Sequence, residues 1–293
     1  MSARLVVSCP AKVNLSLEVL GRRSDGYHEL RTVFQAISLA DEVVLSRDAS
    51  APPLAVSGLR VPVAGNLCLR ALAAFRELRP VPDDLALRLH KRIPVGAGLG
   101  GGSSDAAGVL VGLDRWFGPV GEGALQQLAA ALGSDVAFFL HGGMALGEGR
   151  GEVLVPLPDP PATWLVVARP EQHVSTREAY AALRPEDFTT GERTAALERG
   201  LRSACGLRGL GCDMYNAFER SVLARYPDIA DAKQNLLRAG AEAALLSGSG
   251  AAVFGVFADE PSACEAALRL REGGLWAQAA VTISRGVEVG EAR

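Results

Sequence analysis

Only three of the 30 basic residues in this 293-residue chain are lysines, at positions 12, 91 and 233. An excess of basic over acidic residues is missing as well, since 33 Asp and Glu leave a formal net charge of −3. Without surplus positive charge to neutralise a phosphate backbone, general nucleic-acid binding is not expected; one locally positive pocket for a small anion remains open. The five cysteines, Cys9, Cys68, Cys205, Cys212 and Cys264, are odd in number and scattered, with no CxxC pair and no Cys/His cluster. That pattern argues against disulfide or metal staples and predicts reduced, mostly buried thiols. No apolar run approaches the length of a membrane span. The opening MSARLVVSCPAKVN has no apolar core followed by a cleavage site, so no signal peptide is expected. The expectation is a soluble, cytoplasmic protein.

With 48% hydrophobic and 22% charged residues, the composition is that of a globular protein, and the length suits two domains. From Val13 to Val19 apolar residues alternate with Lys12, Asn14, Ser16 and Glu18, which predicts a half-buried strand with one polar face. GRRSDG at 21–26 reads as a loop, and 30–45 as a second extended segment with a break near Ala40–Asp41. Helical spacing covers Asn66–Leu78, while LALRLHKRI at 85–93 alternates again. Helices are expected at Ser104–Phe117 and at Glu122–Leu132, the second ended by Gly133. The Gly- and Pro-bearing stretch 150–163 reads as a linker, which divides the chain into domains at 1–157 and 158–293. Beyond it come a strand at Trp164–Ala168 and helices at Thr176–Leu183, Met214–Arg225 and Asp228–Ala239. A strand over Ala243–Phe257 is split at SGSG. Irregular alternation of strands and helices in both halves predicts an α+β fold.

The stretch IPVGAGLGGGSSDAAGVL, from Ile93 to Leu110, holds six glycines. So many residues without a side chain cost backbone entropy and ask for a use of bare backbone. The spacing Gly96-x-Gly98-x-x-Gly101 formally matches a dinucleotide fingerprint, but it comes some 90 residues into the chain. The nearest acid, Asp114, lies inside the predicted helix rather than at a strand end. A nucleoside-triphosphatase P-loop needs Lys-Ser/Thr after its last glycine, and here Gly102 is followed by Ser103, Ser104 and Asp105. What remains is a strand that enters a glycine turn and leaves as a helix. The turn amides and the helix N-terminus then face one spot suited to phosphate. Ser103 and Ser104 can cap the helix, bind a phosphate oxygen or reach Mg²⁺.

PVGAGLGGGSSDAA resembles the central phosphate-binding motif of the galactokinase–homoserine kinase–mevalonate kinase–phosphomevalonate kinase (GHMP) family. PAKVNLSLEVLGRRSDGYHEL is similar to the family's N-terminal motif, and LLSGSGAAVFGVF to its C-terminal glycine-rich one. The likeness spans residues 8 to about 257 and is weakest over 180–210. It implies a two-domain α+β kinase with an N-terminal ATP-binding domain, a smaller C-terminal domain and the active site in the cleft between them. It further implies ATP as donor and Mg²⁺ as ion. The DGYHEL run and LGSDV at 132–136 point, within the family, to a cytidine-diphosphate-linked sugar alcohol as the small-molecule acceptor in isoprenoid precursor synthesis. A homoserine- or mevalonate-type acceptor, which has no base to bind, is the alternative, as is a regulator on the same fold that binds without turnover.

Residue by residue, the resemblance makes Lys12 and Asp135 the catalytic pair. Read alone, Lys12 would be a surface lysine and Asp135 a helix N-cap. A hydrogen bond between the two, aimed at the acceptor oxygen, is expected. The nucleotide would lie on Asn66, itself an N-cap by position, and on Pro94, Val95, Gly96, Ala97, Gly98, Leu99, Gly100, Gly101, Gly102, Ser103 and Ser104. The acceptor would meet Asn14, Tyr27 and His28, with Tyr180 as a second stacking face and Thr176 as a hydroxyl contact. No acidic metal ligand can be named. Gly147–Gly149 can be read as a mobile loop.

Overall fold

The computed structural model describes residues 4–203, 207 and 209–290, so Cys205 lies outside the described residues. Two long strands open the chain, β1 (Arg4–Arg22) and β2 (His28–Arg47), followed by β3 (Leu54–Gly58) and α1 (Leu67–Arg76). β4 (Leu85–Lys91) then leads through the glycine turn into α2 (Gly101–Phe117). α3 (Glu122–Leu132), α4 (Val136–His141) and the hairpin of β5 (Met144–Gly149) and β6 (Val153–Leu157) complete this half. The second half runs β7 (Trp164–Arg169), α5 (Thr176–Ala181), α6 (Glu192–Arg202) and β8 (Tyr215–Asn216). α7 (Glu219–Arg225), α8 (Pro227–Arg238), β9 (Ala243–Leu246) and β10 (Val253–Phe257) follow. It closes with α9 (Glu260–Glu272), β11 (Trp276–Val281) and β12 (Glu288–Gly290).

These strands form two sheets. The larger is ordered β12-β1-β2-β4-β3, with β5 on β2, β6 on β5 and β8 parallel to β1; the smaller is β11-β7-β10-β9. The fold is therefore α+β, as the irregular alternation predicts. Helices α1 to α4 cover one part of the large sheet, around Phe75, Leu87, Phe138 and Phe139. α5, α7, α8 and α9 build a second core with Phe218, Ile229, Leu236 and Phe257. Between them, Val13, Leu15 and Ile37 of the large sheet pack with Leu165, Val167 and Phe254 of the small one.

That middle core overturns the expected half-buried first strand. Lys12, Asn14, Ser16 and Glu18 are all buried, because elements from the second half cover their face. Ser16 Oγ shares a hydrogen bond with Thr194 Oγ1, and the Thr194 amide donates to Glu18. A strand with both faces covered can carry polar residues only where each finds a partner.

Other expectations are corrected by pairing. The break near Ala40 is a bulge inside one continuous strand, since Pro10 faces Ala40 while Ala11 faces Ile37. The stretch 150–163 is not all linker: residues 153–157 pair with β5, so the connection to β7 shrinks to 158–163. Residues 147–149, read as a loop, end β5 instead. The expected helix from Met214 starts only at Glu219, because Tyr215 and Asn216 join β1 first. Among the described cysteines, Cys9 and Cys68 are buried thiols, whereas Cys212 and Cys264 are exposed. No helix among the described residues is long and apolar enough to cross a membrane.

Candidate active site

The glycine turn joins β4 to α2 and packs against the SGSG turn between β9 and β10. Gly98 has φ +80°, and a Cβ there would meet the Ser247 carbonyl oxygen at 2.0 Å. Gly100, at φ 72°, is the left-handed residue before α2. Part of the answer to the glycine excess is thus the protein's own backbone, which two glycine turns bring into contact. The other side of the turn is open. A cavity of about 400 Å³ is lined by Asn66, by every residue from Pro94 to Gly102, and by Ser103. Ser104 does not reach it: its hydroxyl is fully buried with no partner among the described residues. Asn66 caps α1 by accepting from the Cys68 amide.

Beneath the turn lies a buried ion cluster that the sequence did not signal. Lys91 Nζ pairs with Asp41 and with Asp105, the latter at 2.7 Å. Asp41 also accepts from the Arg92 and Ile93 amides, which ties the start of the turn to β2. Burial pushes the Asp105 carboxyl up to about 8, against the opposing pull of Lys91.

Lys12 projects from β1 toward the turn. Its ammonium donates to Asn14 Oδ1 at 2.6 Å and to the Gly98 carbonyl at 2.8 Å. Burial lowers its proton affinity, and the nearby Asp135 carboxylate works the other way. The expected direct Lys12–Asp135 hydrogen bond is not formed; Asn14 and Gly98 take the ammonium instead. Asp135 occupies the residue before α4, yet its side chain makes no capping bond. Its carboxylate faces a second cavity, of about 190 Å³, together with Lys12, Asn14, Thr32, Phe34, Thr176, Tyr180, Gly248 and Ser249. Two positions 123 residues apart in sequence thus share one small chamber. Gly98 and Gly100 line both the chamber and the glycine-turn cavity.

Next to the chamber, sharing Leu30, Arg150, Thr176 and Tyr180 with it, lies a third cavity of about 800 Å³, lined by Arg22, Tyr27, His28 and Arg177 among others. His28 and Tyr180 stack with ring centres 4.9 Å apart, and Phe188 meets His28 edge-on. Burial, then the charge of Arg22, lowers the His28 proton affinity, so the neutral ring is favoured. Tyr27 is exposed, with the Arg150 guanidinium over its ring at 4.9 Å. Thr176 shares a hydrogen bond with Ser249 at 3.0 Å, which joins the third cavity to the SGSG turn. Sequence reasoning missed Thr32, Phe34, Arg150 and Phe218. None lies in a motif with a mechanism of its own, and only strand register and the placing of α7 bring them in.

Two sheets, a glycine turn closed by a second one, and a lysine and a carboxylate between two larger cavities define a small-molecule phosphotransferase. Family models for the GHMP kinases match here, the N-terminal domain over residues 66–143 and the C-terminal domain over 193–274. The chain belongs to the GHMP kinases. Curated relatives include the 4-diphosphocytidyl-2-C-methyl-D-erythritol kinase of Moorella thermoacetica, 44% identical over 91% of this chain and 95% of that protein. The enzyme of that name from Symbiobacterium thermophilum is 42% identical over 90% of this chain and 95% of its own. A crystal structure of 4-(cytidine 5'-diphospho)-2C-methyl-D-erythritol kinase superposes with a TM-score of 0.80 at 36% identity, covering 100% of both chains. A homoserine kinase from Cytophaga hutchinsonii has a TM-score of 0.73 at 20% identity, a likeness of fold.

Proposed function

We infer that this chain is an ATP-dependent kinase that transfers the γ-phosphoryl group to the 2-hydroxyl of 4-diphosphocytidyl-2-C-methyl-D-erythritol, on the route to isoprenoid precursors. The observation that carries the reading is the adjacency of the three cavities. The glycine-turn cavity shares Gly98 and Gly100 with the chamber of Lys12 and Asp135, which in turn shares Leu30, Arg150, Thr176 and Tyr180 with the aromatic compartment. Homoserine or mevalonate has no group to occupy the third of these.

In this reading the turn amides of 96–102 and the N-terminus of α2 hold the donor phosphates, with Asn66 beside the nucleoside. Asp135, free of any capping duty, accepts the proton of the acceptor hydroxyl as its oxygen attacks the γ-phosphorus. Lys12 offsets charge that grows on the transferring group, and Asn14 holds Lys12 in place. Tyr27, His28 and Tyr180 take the cytosine, with Thr176 at its edge. Among the described residues no three His, Cys, Asp or Glu side chains gather in a way that could hold a metal. Mg²⁺ would then be held chiefly by the donor's phosphate oxygens, with the Ser103 hydroxyl beside it, and would neutralise their charge. In the same reading residues 1–157 are the ATP-binding domain and 158–293 the second domain, with β8 and β12 of the second half crossing over to pair with β1. The enzyme is taken to be cytoplasmic, acting on a small molecule without nucleic acid or membrane.

An ADP-release assay offering the cytidyl substrate, homoserine and mevalonate in parallel tests the reading. Turnover of the cytidyl substrate is expected; turnover of only the other two would overturn it.

A further inference from the structure

A molecule that spans the transfer chamber and the aromatic compartment must pass the residues that line both: Leu30, Arg150, Thr176 and Tyr180. Only one of these is charged. Arg150 sits at the tip of the β5–β6 hairpin, between Gly149 at φ 71° and Gly151 at φ 99°. Its position is held from three sides. Its amide and its Nε, at 3.2 Å, both donate to the Glu152 carboxylate, and its guanidinium covers Tyr27. Glu152 thus takes up one edge of the fork. The terminal Nη1 and Nη2 have no hydrogen-bond partner among the described residues, although the side chain is only 38% exposed.

We propose that Arg150 is a specificity-determining residue for the acceptor, contacting the diphosphate that links base to sugar alcohol. This rests on the acceptor inferred above. Carrying a diphosphate from the aromatic compartment to Lys12 strips water from its charges, and a guanidinium held flat in the aperture replaces that water with bidentate, charge-assisted donors. Anchoring by Glu152 and Tyr27 lowers the entropy lost when the fork engages. Arg22 and Arg177, both on the rim of the same compartment, add long-range attraction, but neither lines the chamber. The arrangement favours a pyrophosphoryl link, because two charged N–H donor groups without a protein partner among the described residues suit phosphate oxygens better than a neutral base.

The test uses wild type, Arg150→Gln and Arg150→Lys, each saturated with ADP and Mg²⁺ to block the donor site, and titrates cytidine and CDP calorimetrically. Wild type is expected to prefer CDP by about tenfold or more. In Arg150→Gln that preference shrinks to under about threefold, and cytidine itself still binds; Arg150→Lys restores part of the preference. Acceptor KM should rise more than kcat falls, with ATP KM held. A wild type without the preference, a preference that survives Arg150→Gln, or equal losses for cytidine and CDP would each overturn the proposal. Equal losses would mean that Arg150 serves only to cover Tyr27. Wild-type turnover of the cytidyl substrate separates the two questions. Its absence defeats the acceptor assignment, whereas turnover with an unaltered preference defeats only the role of Arg150.

Discussion

The amide of Gly248 donates to Asn14 Oδ1 at 3.0 Å, across 234 positions of sequence, and the same oxygen accepts from Lys12 Nζ. Asn14 is therefore the joint at which the first strand, Lys12 and the C-terminal glycine turn are registered to one another. Its other end is fixed too, since Nδ2 donates to Thr32 Oγ1 at 2.8 Å. On the far side, Asn216 donates to the carbonyls of Leu246 and Gly248, each at 2.8 Å. The turn is held by one asparagine on each flank.

Replacing Asn14 with Leu should leave the buried Lys12 ammonium with one acceptor where it had two. An uncompensated buried donor costs about 1–3 kcal/mol. Thermal unfolding should report that loss of stability, and kcat should fall because Lys12 is free to swing from the transfer site. Unchanged kcat in a folded Asn14→Leu variant would remove Asn14 from the assembly.

Asp135→Asn keeps the shape of the chamber but removes the proton acceptor. Loss of a general base lowers rate by about 10²–10⁴. The turnover number should fall by that order, while donor affinity, measured by nucleotide titration, holds. A fall of less than tenfold would mean that positioning and Lys12 carry the transfer without it.

Gly98→Ala meets two obstacles, a φ of +80° and the Ser247 carbonyl oxygen 2.0 Å from the new Cβ. The new methyl would meet a backbone carbonyl, so no flexible side chain can yield. Lower melting temperature and a higher ATP KM are expected together, because the glycine turns must separate. Gly102→Ala, whose Cβ would find only Leu67 at 3.9 Å, is the control and should leave stability nearly intact.

Asp41 and Asp105 share Lys91 but should respond oppositely to neutralisation. Burial raises the Asp105 carboxyl from 3.8 to about 8, so the folded state holds a proton that the unfolded chain releases. A raised folded value means stability that is whole below about 4 and is lost as pH climbs toward 8. Asp105→Asn, which resembles the protonated form, should flatten the decline in melting temperature between pH 5 and 8. Asp41→Asn removes the partner of Lys91 and of two amides, and should destabilise at every pH. Parallel melting curves over that range decide it.

Neutral His28 stacked on Tyr180 should matter for the acceptor alone. Burial, then Arg22, favours the uncharged ring, so its own stabilising share is present above the ordinary histidine range and fades as pH falls. Acceptor KM should climb on acidification, with ATP KM flat. Tyr180→Ala should raise acceptor KM further, consistent with a stacking loss of about 1–3 kcal/mol.

Much of this was readable in advance where the cause is local. Glycines that demand positive φ, the Asn66 cap and the Gly133 stop act over a few residues and fall where expected, whereas α2 starts at Gly101 rather than Ser104, with Gly100 and neither serine at its cap. Strand β6 inside the supposed linker takes its form from pairing with β5, whereas α9, also absent from the expectations, carries a local signal of its own in the Asp259–Ser262 capping box and Pro261. Whether Lys12 bonds Asp135 or Asn14 turns on distance, to which composition has no access.

By itself the sequence determined an α+β scaffold and its glycine turn, because backbone preference is written residue by residue, and its three motifs carried the resemblance to the GHMP kinases. Only the tertiary structure decided that the polar face of β1 is buried, that Asn14 rather than Asp135 holds Lys12, and that Arg150 stands in the aperture. Those outcomes depend on sheet register and on contacts between segments hundreds of residues apart, where a shift of one position would turn each side chain to the opposite face.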